Sequence, residues 1–413
     1  MREMPNVGRG EWVSDNKEPS DHLENQRFGQ AVEGDITMRF LDFFAGIDGF
    51  RRGMELAGHE CVGFCEFDRF AVASYTSMHL LTEEQREYLA GMPIKKRQKE
   101  ILKEEYRNGE WYAADIRRLY AGDIPAADCW CFGFPCQDIS VAGKQLGFQG
   151  NRSSLFFRVM YLLGQLEEKK PTYLFIENVK NLLSVNGGWD FARLLVELDA
   201  GGYDAEWEVL NSKDFGVPQN RERCFIIGHL RGRRSGKVFP VEGADGKDHA
   251  SVNCAELPSF VDLCCKSKMT DLARTSMAKQ YNGVAGDTGV QTSGVAIPVL
   301  TPDRAEKRQN GRRMKEDGEP MFTLTGQDRH GVAVEMNGVS VYAIWYEKYQ
   351  CYIAIRRLTP KECFRLQGWT DDYYEKAEFV NSESQLYKQA GNGVTVNVIE
   401  EIGKKMQLEG EAW

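Results

Sequence analysis

Four residues in three short stretches have the types needed for covalent chemistry on a ring. Cys136 follows Pro135 in GFPCQDIS, just past an apolar run. A loop at a strand end would expose this thiol, and the proline fixes the path into the turn. The plain alternative is a buried hydrophobic cysteine. Glu177 and Asn178 close the strand-like FIENV, so they should face the same crevice. A carboxyl held there could donate a proton; its plain alternative is a helix cap. Arg221 and Arg223 in PQNRERC precede another strand, and a two-residue period would put them on one side. They could equally be a surface pair or phosphate contacts. Together, a thiolate, an acid and arginines suit addition to an electron-poor ring carbon. The acid would protonate a ring nitrogen, and the arginines would hold a carbonyl. The neighbouring carbon, so activated, can attack a sulfonium methyl. Cytosine, attacked at C6 and methylated at C5, is such a ring.

A second cluster suits a cofactor. A strand runs into FAGIDGF, where Gly46 lies in a turn that opens a helix. Amide groups at a helix start favour an anion. Glu66 comes twenty residues after Gly46, at the expected end of the next strand, where an acid can bond ribose hydroxyls. Phe67 beside it could stack a base, and Asp115 could accept from an adenine amino group. The turn is not GxGxxG, which disfavours a nicotinamide dinucleotide; a single carboxylate, such as that of a methionine moiety, needs fewer glycines.

These residues need a scaffold. Short apolar runs at 39–44, 60–64, 128–134, 172–179 and 224–228 alternate with helical spacing, as at 155, 156, 159, 162, 163 and 166. That rhythm indicates a parallel α/β sheet. Residues 82–110 are highly charged and read as a helical insertion or an exposed excursion. The organisation expected is a polar, poorly ordered extension at 1–37, a catalytic and cofactor-binding domain at 38–230, a smaller β-rich domain at 231–355, and a hinge and return at 356–413.

Composition narrows the class. Of 413 residues, 42% are hydrophobic and 27% charged, ordinary for a soluble globular protein. No apolar run is long enough for a membrane span, and no secretion signal precedes the first strand. The eleven cysteines are odd in number and scattered, which argues against a disulfide framework and for the reducing cytosol. Neither Cys129, Cys131 and Cys136 nor Cys254, Cys264 and Cys265 have zinc spacing, so no metal is expected. The net charge of −9 disfavours nucleic acid when taken alone. However, RAEKRQNGRRMK at 304–315 and RGRRSGK at 231–237 are basic runs, either solvated surface or a face for a polyanion.

The ordered series DFFAGIDGF, CEF, ADI, GFPCQDIS with GKQLGF, NRSSLFF, FIENV, GVPQNRERCFIIG, RRLTPKECFRLQGW and QAGNGVTVNV resembles the C5-cytosine DNA methyltransferase family, from about Phe40 to Ile399. The resemblance implies a Rossmann-like S-adenosylmethionine-dependent sheet with a second, β-rich target-recognition domain over 231–355. It implies that Cys136 is the nucleophile, Glu177 assists at N3 and the amine, Arg223 contacts a flipped base, and Arg221 supports the site. Phe44, Gly46, Glu66, Phe67, Asp115, Ile116, Pro135, Leu155, Asn392 and Val394 would surround the cofactor. Gln137, Ser140, Lys144 and Arg152 would lie on a loop closing over DNA. FTLT at 322–325 resembles the family's Thr-Leu element, pointing to Thr323 and Leu324. Double-stranded DNA would be the partner of a cytoplasmic monomer; a companion restriction endonuclease and a bacterial or phage source stay open. Where the family usually has two glycines this chain has Asp48 and Gly49, read here as a helix cap. Three rivals are an RNA-acting enzyme of the same fold, disfavoured by the long 231–355 segment; a DNA-binding protein without activity; and a Rossmann-type redox enzyme, disfavoured by the lack of GxGxxG.

Overall fold

The first strand shows how the chain builds its centre. RFLDF is buried at four of five positions, so both faces of β1 (Arg39–Phe43) are covered. The computed structural model describes residues 37–134, 154–243, 296–300, 312, 314–315, 319–323, 330–335, 344–346 and 351–408, all within the unit Ile36–Trp413. Its main sheet also contains β2 (Glu60–Cys65), β3 (Trp111–Ala113), β4 (Cys129–Phe132), β5 (Tyr173–Val179), β6 (Tyr203–Asn211) and β7 (Glu222–Leu230). The spatial order is β3-β2-β1-β4-β5-β7-β6. The chain winds outward from β1 to β3, then returns to lay β4 on β1's other side. This is the switch point where open α/β sheets hold ligands, at the strands' carboxyl ends.

Helices cover both faces, as a doubly wound sheet requires. Leu41, Phe43, Trp130, Phe132, Leu174 and Ile176 face α5 (Ser154–Gly164) and α6 (Trp189–Gly201) through Phe156, Val159, Leu163, Leu194 and Leu198. Phe40, Cys129, Cys131, Tyr173 and Phe175 face the other way, toward Met54 of α1 (Gly49–Leu56) and Val398, Ile399 and Ile402 of α10 (Val396–Gly403). The C-terminal segment therefore returns to the sheet. Gly53 is where α1 and α10 touch: a Cβ there would lie 2.5 Å from that of Ile399.

The expected parallel sheet holds for β1 to β5, with one correction. β7 runs antiparallel to both β5 and β6, and β6 itself was not anticipated. Between β2 and β3 lie α2 (Arg69–Tyr75), α3 (Glu83–Ala90) and α4 (Ile94–Glu100), so of the two readings of the charged 82–110 stretch the helical insertion is the one seen. A separate antiparallel sheet, β10-β11-β9-β8, joins β8 (Ala296–Leu300), β9 (His330–Glu335), β10 (Ile344–Tyr346) and β11 (Cys351–Arg357). Short helices α7 (Pro360–Arg365), α8 (Asp371–Glu378) and α9 (Glu383–Asn392) then lead into α10.

Candidate active site

The turn after β1 is held in an unusual backbone state. Phe44 (φ 62), Gly46 (φ 60) and Asp48 (φ 70) all lie in the left-handed region. Only glycine adopts this freely, so the two side-chain-bearing residues need outside support. The amides of Phe44 and Ala45 both donate to Cys65 O, at 2.8 and 3.2 Å. Glu66, just past β2, accepts from Gly46 N at 2.8 Å and from Asp68 N at 2.6 Å. Burial pushes the Glu66 carboxyl above its ordinary value, while these amide donors oppose the shift. Asp48 is the cap read from the sequence: its Oδ1 accepts from Arg51 N at 2.7 Å.

The remaining cofactor candidates sort into two groups. Phe67 is 73% exposed, with the Arg117 guanidinium carbon 5.7 Å from its ring centroid. Arg117 also binds both oxygens of Asp115, and this pairing holds Asp115 below its usual value. Ile116 is buried and Leu155 half-buried in the first turn of α5. Val394 packs on the turn, since a Cβ at Gly49 would fall 2.7 Å from its Cγ2. Asn392 ends α9 and is exposed. These residues fit an adenosine-bearing donor. A Cβ at Gly46 would meet no atom within 4 Å, so the turn has room before it. An open ring and two carboxylates stand at the neighbouring strand ends.

The second corner lies one strand further along. Pro135, Cys136, Gln137, Ser140, Lys144 and Arg152 lie outside the described residues, but the stem that leads to them does not. β4 pairs with β5 in parallel, Phe132 opposite Ile176, so both strands end on one side. Asn178 Nδ2 donates to Phe134 O at 3.1 Å, tying the stem to β5. A Cβ at Gly133 would lie 3.1 Å from Glu177 Oε2, so glycine there admits the carboxylate. Glu177 Oε1 meets Arg223 Nε at 2.9 Å.

Arg221 behaves differently from Arg223. It is 3% exposed and donates to Gly393 O at 2.7 Å. The shared side expected from strand period does not give shared partners, because Arg221 precedes β7. The loop carrying both arginines is stitched to a distant segment: Met321 N donates to Pro218 O, Asn220 N to Met321 O, and Thr323 Oγ1 to Asn220 O at 2.6 Å. Leu324 lies outside the described residues. Sequence reasoning assigned no role to Gln219, fully buried in this loop with Nε2 on Leu366 O at 2.8 Å. A polar residue inside a motif otherwise explained was the available signal. Among the described residues, no three or more His, Cys, Asp or Glu are grouped to hold a metal, and no helix is long and apolar enough to cross a membrane.

A doubly wound sheet with a glycine turn, an acid at the next strand end and an acid–arginine pair across β5 and β7 defines a Rossmann-like transferase. Residues 38–408 match the C-5 cytosine-specific DNA methylase family, and the chain belongs to it. It is a DNA (cytosine-5-)-methyltransferase. It is 30% identical to the orphan methyltransferase M.SPRI of Bacillus phage SPR, over 89% of this chain and 97% of that one. It is 29% identical to the type II methyltransferase M.HhaI of Haemophilus parahaemolyticus, over 88% and 93%. The fold resembles the crystal structure of the S. pombe Dnmt2 methyltransferase, with a TM-score of 0.51 and 16% identity over 88% of this chain and 96% of that one.

Proposed function

We propose that the protein methylates C5 of a cytosine within a specific duplex DNA sequence, using S-adenosylmethionine and a transient bond between Cys136 and C6. The observation that carries this reading is the Glu177–Arg223 pair beside the Gly133–Phe134 stem, from which Cys136 follows two residues later. C6 is shielded inside the base stack, so the target base must rotate out to be reached. The Cys136 thiolate then adds to C6, and the ring electrons so displaced make C5 nucleophilic. Glu177 turns from its arginine to the ring, holding a proton at N3 and an acceptor at the exocyclic amine. Arg223 is released to hold the ring carbonyl, while Arg221 keeps the 391–393 segment in place. Loss of the C5 proton and breaking of the C6–S bond restore the aromatic ring and the thiolate.

When bound, the cofactor supplies a methyl group on positively charged sulfur. The turn at Phe44 and Gly46, with Glu66, Phe67, Asp115, Ile116, Leu155, Asn392 and Val394, would hold it, joined by Pro135. Gln137, Ser140, Lys144 and Arg152 would close over the duplex. Thr323 and Leu324 would sit in a recognition domain over 231–355, whose basic runs bind phosphates and set affinity more than sequence choice. The enzyme works as a cytoplasmic monomer in this reading.

Cys136→Ala tests it. The variant should lose methyl transfer in a tritiated-methyl assay on duplex DNA yet bind S-adenosylhomocysteine as the parent does; full turnover would sink the assignment. Parallel assays on transfer RNA separate the DNA-acting from the RNA-acting reading.

A further inference from the structure

The insertion at 82–110 ends on Glu110, and Glu110 is tied to the turn after β1. Arg51, in the first turn of α1, reaches both oxygens of Glu110 with Nη1, at 2.9 and 2.8 Å. The same nitrogen donates to Tyr75 Oη at 2.7 Å, and that hydroxyl donates to Glu110 Oε1 at 2.8 Å. Arg51 Nε bonds Glu55 Oε1 at 2.7 Å. The Arg51 and Glu110 side chains are only 10% and 11% exposed, so neither charge is left to water. Glu110 opens onto β3, whose neighbour β2 leads to Glu66.

Arg51 has a second attachment. Its backbone N–H donates to the capping side chain of Asp48, whose left-handed backbone is costly for a residue with a side chain. One residue thus joins the insertion, through its guanidinium, to the turn, through its amide. The carboxyl group of Asp48 lies buried nearby and attracts the same cation. Glu110 counters that pull from the opposite element. Without it, Arg51 would be drawn toward Asp48 and the start of α1 would shift with it. The rest of the insertion has separate anchors: Arg97 donates to the carbonyl of Phe379, and Gln98 to Asn381. Loss of Glu110 is therefore a local event at the turn.

We infer that Glu110 is a positioning residue for methyl-donor binding, acting through Arg51 on the Phe44–Asp48 turn. This rests on the donor-binding role proposed above for that turn. The test is calorimetric titration of the full chain with S-adenosylhomocysteine, alongside thermal melting and steady-state kinetics. E110A should bind about tenfold more weakly, the size expected of a residue that acts without touching the ligand. KM for the donor should rise by a similar factor while kcat changes less than about twofold, the mark of lost uniform binding. E110Q keeps one acceptor for Arg51 and should bind about threefold more weakly than the parent. If E110A shows no cooperative melt, E110Q and Y75F carry the test, each expected to bind about threefold more weakly. Variants that bind like the parent overturn the inference, whatever their melting temperatures. A parent chain that binds no S-adenosylhomocysteine overturns instead the reading of the turn.

Discussion

Arg223 reaches Glu177 diagonally across an antiparallel ladder: Arg223 stands opposite Val179 and Glu177 opposite Phe225, yet the guanidinium and carboxylate meet at 2.9 Å. Both side chains are largely buried, at 15% and 13% exposure. Each leaves the other poorly compensated if removed. Arg223→Ala should lower methyl transfer by roughly 10²- to 10³-fold, the usual loss for a group that stabilises charge in the reacting complex. Because the two act as a pair, the double alanine variant should lose much less than the product of the single losses. Fully multiplicative losses in single-turnover assays would show that they act apart.

Arg221 should report on stability instead. Its guanidinium holds the Gly393 carbonyl from a buried position, so Arg221→Ala should cost about 2–4 kcal/mol in urea unfolding. Arg221→Lys should recover little, because an ammonium lacks the planar fork. A parental unfolding midpoint for the alanine variant would refute this anchoring role.

Two buried carboxyls predict a pH trend. Asp42 is 1% exposed and Asp48 fully buried, and the two carboxyls influence each other. Burial, reinforced by Asp48, pushes Asp42 well above the ordinary carboxylate value; burial also raises Asp48, with Asp42 and Arg51 opposing. The folded state therefore holds a proton that the unfolded chain releases near pH 3.9. Stability from the pair is complete below that point and falls as pH rises through the folded value. Asp48→Asn keeps an oxygen to cap Arg51 N and gives Asp42 an amide donor. It should flatten the decline in melting temperature as pH rises above about 3.9. Glu66 and Glu110, also raised, contribute the residual slope. Identical pH profiles for variant and parent would rule out the shared proton.

Gly53→Ala offers a packing test. The added Cβ would lie 2.5 Å from Ile399 Cβ and 2.9 Å from the Glu400 amide. Relief of this overlap should cost about 1–3 kcal/mol, exceeding the gain of roughly 1 kcal/mol in helix propensity. A variant more stable than the parent in urea would mean that α1 and α10 can separate freely.

The parts legible in the sequence were those where one local pattern carries the information. β1, β4 and β5 are buried on both faces, and their apolar runs stand out. β6 was missed because YDAEWEVLN lies at the sheet edge with few buried positions. Nothing in a strand's composition gives its direction, so β7's reversal could not be read. The place of Glu66 beside Gly46 could be read from their interval, since one βα unit fixes that interval. Arg51 and Glu110 are 59 positions apart with only charge to connect them, and their pairing needed coordinates. The separate partners of Arg221 and Arg223 depend on where β7 begins, which two-residue periodicity does not state.

The backbone exchange between Pro218, Asn220 and Met321 bears on engineering. Exchanging the proposed recognition segment by cutting at 231 and 355 would divide this seam, leaving donor and host backbones to match across it. A chimera that carries Pro218–Asn220 together with residues 319–323 would keep the seam in one piece.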